Sequence, residues 1–218
     1  MAVNEQHFSD WCGKTEVSFD IIDPALAERL RTTLLRDEQT PATDVLPTLG
    51  HWCYFQSPAP AHLLSEDGHP QRGGFLPPIP LPRRMWAGGS LEFFAQIPVG
   101  AKLTRQSTIA SIQEKEGRSG KLVFVAIEHE YWQEKTRLLT ERQELVFREA
   151  AINSNSDAAN TKPPGNTPPI DLTIPLYSQT LCGDAVTLFR LSALTFHSHR
   201  IHYDRNYAVN VEGYAGLV

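Results

Sequence analysis

The sequence predicts an α+β fold in which an antiparallel sheet wraps around one helix. Three observations carry that expectation. A strand-like stretch runs directly into an amphipathic helix near the N-terminus, four long strand-like stretches follow one another from residue 88 to 149, and a proline-rich interval separates the two regions.

The opening strand is "TEVSFDIID" at residues 15–23, and "DPALAERLRTTLLRDE" follows from residue 23. Asp23 is placed to cap a helix and Pro24 to occupy its first position, where a missing N–H costs nothing. Ala25, Leu26, Leu30 and Leu34 recur near helical spacing and give one apolar stripe, read as core. From 38 to 82 regular signals fade. "HWCYF" is an aromatic knot, and Pro77, Pro78, Pro80 and Pro82 exclude a helix or a central strand. A long ordered loop packed over the domain is expected there, and such loops are often functional.

"GGSLEFFAQIPVG", "KLTRQSTIASIQEKEG", "GKLVFVAIEHEYW" and "RLLTERQELVFRE" then read as four strands of an antiparallel meander, with a charged turn "KEGRSGK" between the second and third. Val123, Val125, Ile127 and Tyr131 share one face of the third. Residues 150–169 have the Asn, Ser, Pro and Ala content of a flexible linker. The stretch from 170 to 218 is too short for its own core and must pack on the first domain or on another chain. The expected division is therefore 8–149, a linker at 150–169, and 170–218.

Bulk properties narrow the function. The 218 residues are 41% hydrophobic and 21% charged, the balance of a globular protein. "LVFVAI" at 122–127 is far short of a membrane span, and "MAVNEQHFSD" lacks the pattern of a secretory signal. Three scattered cysteines make no disulfide framework, so a reducing compartment, the cytoplasm, is expected. A net charge of −5 argues against nucleic acid as a partner, while a local basic patch could still hold an anionic substrate.

The chemistry concentrates in "SALTFHSHRIHYD", residues 192–204, which sets His197, His199 and His202 within six positions and adds Asp204. A metal site and a single acid/base histidine compete for this pattern. The spacing is not the i, i+4 pair of a zincin, and no distant Cys or Glu partner stands out. No metal is expected.

Two stretches carry a family resemblance. "GGFLPPIPLPRRMWAGGSLEF" at 73–93 and the pattern from Leu191 to Val218 resemble the MaoC-like, type 2 enoyl-CoA hydratase superfamily. Within it, the chain is most similar to the double hot-dog branch of itaconyl-CoA and mesaconyl-CoA hydratases and 3-hydroxyacyl-thioester dehydratases. The resemblance spans essentially the whole chain. It implies a complete first hot dog over 8–149 and a partial second one over 170–218, since members continue beyond the residue matching Val218 with V-H-G-P and a further helix. Hot-dog domains pair to build their sites, so a homodimer is implied.

The implied activity is reversible addition of water to an α,β-unsaturated acyl-CoA, with a tilt towards itaconyl- or mesaconyl-CoA. No cofactor is called for, because coenzyme A is part of the substrate. Such hydration needs a base for water, an acid for Cα, and donors for the developing enolate oxygen. His202 aligns with the superfamily's catalytic histidine and is assigned water activation. Position 197, five residues earlier, holds aspartate in type 2 hydratases and asparagine in this branch; here it is His197, which would orient water or substrate. Asp204 either fixes a histidine tautomer or caps the helix that follows. Arg83 and Arg84 would meet coenzyme A phosphates or an acyl carboxylate, unless they are a solvated pair, and Arg200 is a further substrate-binding candidate. Trp86 with Gly88 and Gly89 would line the pocket wall and allow close backbone approach. His199 is assigned no chemistry and Tyr203 is assigned packing. A hot-dog thioesterase, which would need a carboxylate not evident at the motif, and a non-catalytic acyl-CoA-binding subunit are the rival readings.

Overall fold

The computed structural model describes residues 8–34, 44–117, 120–149 and 183–218. The expected linker at 150–169 lies outside the described residues. Strand β1 (Thr15–Ile21) leads into α1 (Pro24–Leu34); β2 (Arg83–Phe93), β3 (Lys102–Gly117), β4 (Gly120–Gln133) and β5 (Thr136–Arg148) follow, and α2 (Ala185–Leu194) and α3 (Arg205–Asn210) close the chain. The five strands form one antiparallel sheet in the order β1-β3-β4-β5-β2.

That order corrects the expected four-strand meander. β3, β4 and β5 form it, but β2 pairs with β5 at the far edge. The cause lies in the link between β2 and β3. Leu46 N–H donates to Ile97 O, Val99 N–H to Asp44 O and Gly100 N–H to Ile22 O, at 2.7–2.8 Å. These bonds tie the link to the segments flanking α1, so it crosses past the helix instead of closing a hairpin.

The helix begins as its sequence dictates, with Leu26 N–H donating to Asp23 Oδ1 at 2.8 Å. Its inward stripe runs through Ala27 and Leu30 with Leu26 and Leu34 beside them, while Ala25 is exposed. Around it pack Ile22, Leu103, Tyr131 and Leu139 from the sheet, and Leu191 and Leu194 of α2 join this cluster. The C-terminal segment thus uses the first domain's core.

A second apolar cluster is covered by the proline-rich loop. Ile79 and Leu81 lie on Ile109, Val123, Val125, Ile127 and Phe147. Prolines supply no N–H, so no regular strand ladder forms here to pair the loop's carbonyls. Arg72 does so instead: its guanidinium donates to the carbonyls of Ile79, Leu81 and Pro82 and lies over the Phe147 ring.

Between the two clusters sits a buried carboxylate that the sequence did not announce. Glu141 is 2% exposed and accepts from Trp52 Nε1 (2.8 Å), Gln143 Nε2 (2.8 Å), Tyr131 OH (3.0 Å) and His51 Nε2 (3.2 Å). Burial alone would raise its pKa, but these donors outweigh burial and bring it down to about 2. The depressed value makes Glu141 stabilising above the usual carboxylate range, and that stability is lost as pH falls towards 2. Burial also lowers buried His129 to about 4, against the pull of Glu141, so His129 too penalises folding as pH falls below 6.5. Glu141→Gln turns an amide NH₂ towards donors, and we expect it to cost roughly 2–4 kcal/mol at pH 7 and to flatten the acid limb of stability. Urea unfolding from pH 7 to pH 3 measures both; an unchanged acid limb in the variant would show that Glu141 does not control it.

Two edges remain apolar and open. Val17, Phe19 and Ile21 of β1 and Val186 and Phe189 of α2 are each more than half exposed. Among the described residues no helix is long and apolar enough to cross a membrane.

Candidate active site

The motif histidines are placed by a chain of local turns. Asp184 caps α2 by accepting from Thr187 N–H at 2.8 Å. The helix ends at Leu194, and Phe196 turns the chain in a left-handed conformation (φ 50°). His197 N–H then donates to Ser192 O at 2.8 Å, and a 3-10 turn at Arg200–His202 follows. Asp204 closes it by capping α3, accepting from Tyr207 N–H at 3.0 Å. The other carboxylate oxygen holds Arg200 at 2.8 Å. Of the two roles open for Asp204, its contacts are those of the cap.

Opposite this segment stands the loop 65–70, "SEDGHP", supported by Ser65 N–H to His69 O at 2.7 Å and Gly68 N–H to Ser65 O at 2.9 Å. Arg200 N–H donates to Asp67 O at 2.9 Å, and Ser198 Oγ donates to Gly68 O. Gly68 has φ +92°, and a Cβ there would lie 1.9 Å from Ser198 O. Only glycine permits so close an approach.

The docking assembles four of the chain's eight histidines. Ring centroids are 4.2 Å apart for His69 and His199, 5.3 Å for His69 and His197, 5.1 Å for His197 and His202, and 5.7 Å for His199 and His202. Hydrogen bonds fix three tautomers. His202 Nδ1 lies 2.6 Å from Val218 O, which can only accept, so the proton is on Nδ1 and Nε2 carries a lone pair. His69 Nδ1 donates to Asp67 Oδ2 at 2.8 Å, with the same consequence. His197 Nδ1 accepts from His199 N–H at 3.4 Å, which puts its proton on Nε2. The quartet therefore offers two acceptors and one donor.

Burial lowers His197 and His199, with His69 the next cause for each, and His199 falls to about 4. The outer side of His197 is open to solvent. His69 is lowered by burial against the pull of Asp67. Burial would raise Asp67, but the ring and backbone N–H of His69 together hold it well below the usual carboxylate range. At neutral pH Asp67 is charged and these three rings are neutral.

The predicted arginines separate. Alternation along β2 sends Arg83 and Arg84 to opposite sides. Arg83 pairs with Glu212 at 3.2 Å and donates to Val211 O, tying the end of α3 to the sheet. Arg84 is partly buried, its charge interacts with that of Asp67, and it adds to burial in lowering the imidazoles of His69, His197 and His199. Arg200 is taken up by Asp204, Glu66 O and the face of Tyr207. Trp86 packs edge-on against Trp52 and donates to Gly88 O beside a bulge in β2. A Cβ on Gly89 would lie 2.7 Å from Arg142 O, too close for a side chain, whereas Gly88 faces open space. Tyr203 OH donates to Ser198 O.

Two residues of this site went unread in the sequence, Asp67 and His69, and His199 was set aside. The signal was an Asp-Gly-His turn inside a loop marked as functional. The fold supplies distant partners that the spacing of the motif does not show: ligand atoms of Asp67, His69 and His199 lie within 4.8 Å of one another, a donor set that suits a transition metal. Two depressions lie elsewhere. One of about 480 Å³ is lined by Val45–Thr48, His51 and residues 93–97, and one of about 460 Å³ runs across β2, β4 and β5. Neither includes a residue of the quartet; Glu141 at the second is bonded by four donors, His51 at the first keeps an unpartnered Nδ1 but lies apart from the motif, and the chemistry is assigned to the quartet histidines.

The sequence profile of hydroxyacyl-thioester dehydratase type 2 matches residues 49–218, which includes both the loop and the motif. The chain belongs to this family. It is also 43% identical over 209 residues to mesaconyl-C(4)-CoA hydratase of Chloroflexus aurantiacus, covering 95% of this chain and 72% of that protein. A solved MaoC-like dehydratase superposes with a TM-score of 0.64 at 12% identity, over 97% of this chain and 74% of the other. Another, from Phytophthora capsici, gives 0.55 at 13% identity, over 99% and 72%. These likenesses establish the hot-dog fold, and membership of the dehydratase family makes the protein a hydro-lyase.

Proposed function

We propose that this dehydratase-family protein reversibly hydrates a short dicarboxylic α,β-unsaturated acyl-CoA, of the mesaconyl or itaconyl type, with His202 as the base. The observation that carries the reading is the bond from His202 Nδ1–H to Val218 O, which leaves Nε2 as the ring's acceptor, with the His197 ring 5.1 Å away. Water gives a proton to Nε2, its oxygen bonds to Cβ, and charge develops on the thioester oxygen. The imidazolium then returns the proton to Cα. The Nε2–H of His197 is a donor for substrate oxygen, which suits a position where an amide side chain is the resembled alternative. No metal or redox cofactor is needed for these transfers. The thioesterase reading requires an available carboxylate, and Asp67 is occupied by both donors of His69.

Arg84 supports the dicarboxylic preference, because its charge lies beside the imidazoles with no carboxylate bonded to it among the described residues. We expect mesaconyl- and itaconyl-CoA to be hydrated faster than crotonyl-CoA. Arg84→Ala should raise KM for the dicarboxylic substrates about 10–100-fold, the size of a lost charged hydrogen bond, and leave crotonyl-CoA nearly unaffected. Loss of enoyl-thioester absorbance with product identification measures both. Binding without hydroxyacyl product from any of the three would favour the non-catalytic subunit instead. The exposed rows of β1 and α2 support a homodimer, and the free thiols of Cys12 and Cys53 are in keeping with a reducing, cytoplasmic setting.

A further inference from the structure

We propose that His69, set by Asp67, is a second catalytic residue that holds the attacking water together with His202. The inference rests on the hydratase reading above. His69 and His202 each touch both His197 and His199, so they occupy opposite corners of the quartet. With His197 and His199 6.1 Å apart, these separations cap the distance between the His69 and His202 centroids at about 8 Å. With the two Nε2 atoms on facing ring edges, as the proposal requires, one water would span the gap with two hydrogen bonds of about 2.8–3.0 Å each.

The tautomers suit that water. His69 gives its Nδ1 proton to Asp67, and this is the ring's one hydrogen bond among the described residues. His202 gives its Nδ1 proton to Val218 O. Two imidazole lone pairs therefore face a molecule that has two hydrogens to donate. In the step, water transfers one hydrogen to His202 Nε2 and directs the other at His69 Nε2. The water oxygen bonds to Cβ, the π pair moves to the thioester enolate, and the His202 imidazolium returns its proton to Cα. His69 ends as it began. Water is oriented from the loop 65–70 where position 197 supplies no carboxylate.

Asp67 is the positioning residue. Its two oxygens accept separately, Oδ1 from His69 N–H at 3.0 Å and Oδ2 from the ring at 2.8 Å. An amide cannot accept at both atoms, so Asp67→Asn keeps the turn and sets an NH₂ against Nδ1, which moves the ring proton to Nε2.

The test compares wild type, His202→Ala, His69→Ala, His69→Gln and Asp67→Asn on mesaconyl-CoA, with melting temperatures as the folding control. We expect kcat to fall about 100-fold in His69→Ala and at least 10-fold in Asp67→Asn, with KM within 3-fold of wild type. Added imidazole, or the glutamine amide in His69→Gln, should recover part of the His69→Ala loss, which a merely structural role would not allow. Should His69→Ala fail to fold, Asp67→Asn and His69→Gln read the same split. A His69→Ala kcat within 3-fold of wild type, or a loss that neither imidazole nor glutamine relieves, overturns the inference while His202→Ala still reports on the hydratase reading. A wild type that hydrates nothing overturns both.

Discussion

His202→Ala is expected to lower kcat for hydration about 1000-fold with little change in KM. The magnitude follows from the job: a positioned acid/base group contributes about 10²–10⁴. In the cycle drawn above, one imidazole both takes the water proton and delivers it to Cα. His69 accepts from the same water, but burial lowers its imidazole and makes it a weaker base. His197 turns a donor N–H towards the site, and His199, lowered to about 4, is a poor base. Removing the ring should not unfold the segment, because the backbone there is held by its own bonds, with His202 N–H donating to His199 O and Asp204 capping α3. Melting within a few degrees of wild type together with a kcat loss would place the effect on chemistry. Residual activity above one tenth of wild type would remove His202 from the role of base.

The parts of this site that were legible in the sequence are those written locally. Asp23 and Pro24 announce the start of α1, and alternation announces the buried row Val123, Val125, Ile127 and Tyr131. Asp204 before "RNYAV" reads as a cap and is one. The rest depends on contacts across long stretches of chain. The place of β2 at the sheet edge is decided by bonds from the 94–101 link to residues on either side of α1, which no periodicity encodes. His69 and Asp67 lie 130 residues from the motif they join, and their own surroundings show only a Gly/Pro loop. Arg83 and Arg84 read as one basic pair, yet a strand's two-residue period sends them to different tasks. Glu141 looks like any polar residue of an amphipathic strand until Trp52, Tyr131 and Gln143 converge on it.

Gly68 tests the long-range part of the site directly. In Gly68→Ala the new Cβ would fall 1.9 Å from Ser198 O, a backbone atom that cannot rotate away. Ordinary C···O contact is about 3.3 Å, so the loop must retreat by more than 1 Å. The left-handed φ of +92° adds about 1–2 kcal/mol for any residue with a Cβ. The retreat breaks the bonds from Ser198 Oγ to Gly68 O and from Arg200 N–H to Asp67 O, and carries His69 away from His197 and His199. Displacements of this size cost about 100-fold in rate when they affect a reacting group, so kcat/KM should fall by about that factor. Global stability should fall far less, because the two apolar clusters draw no residue from 65–70. Gly74→Ala is the matched control, with open space at its Cβ and no positive φ, and should behave as wild type. Hydrogen exchange at residues 65–70 and 198–200 should quicken in Gly68→Ala and not in Gly74→Ala. Wild-type kcat/KM in Gly68→Ala would mean that hydration does not depend on the docked loop, and His69 would then have no part in holding the reacting water.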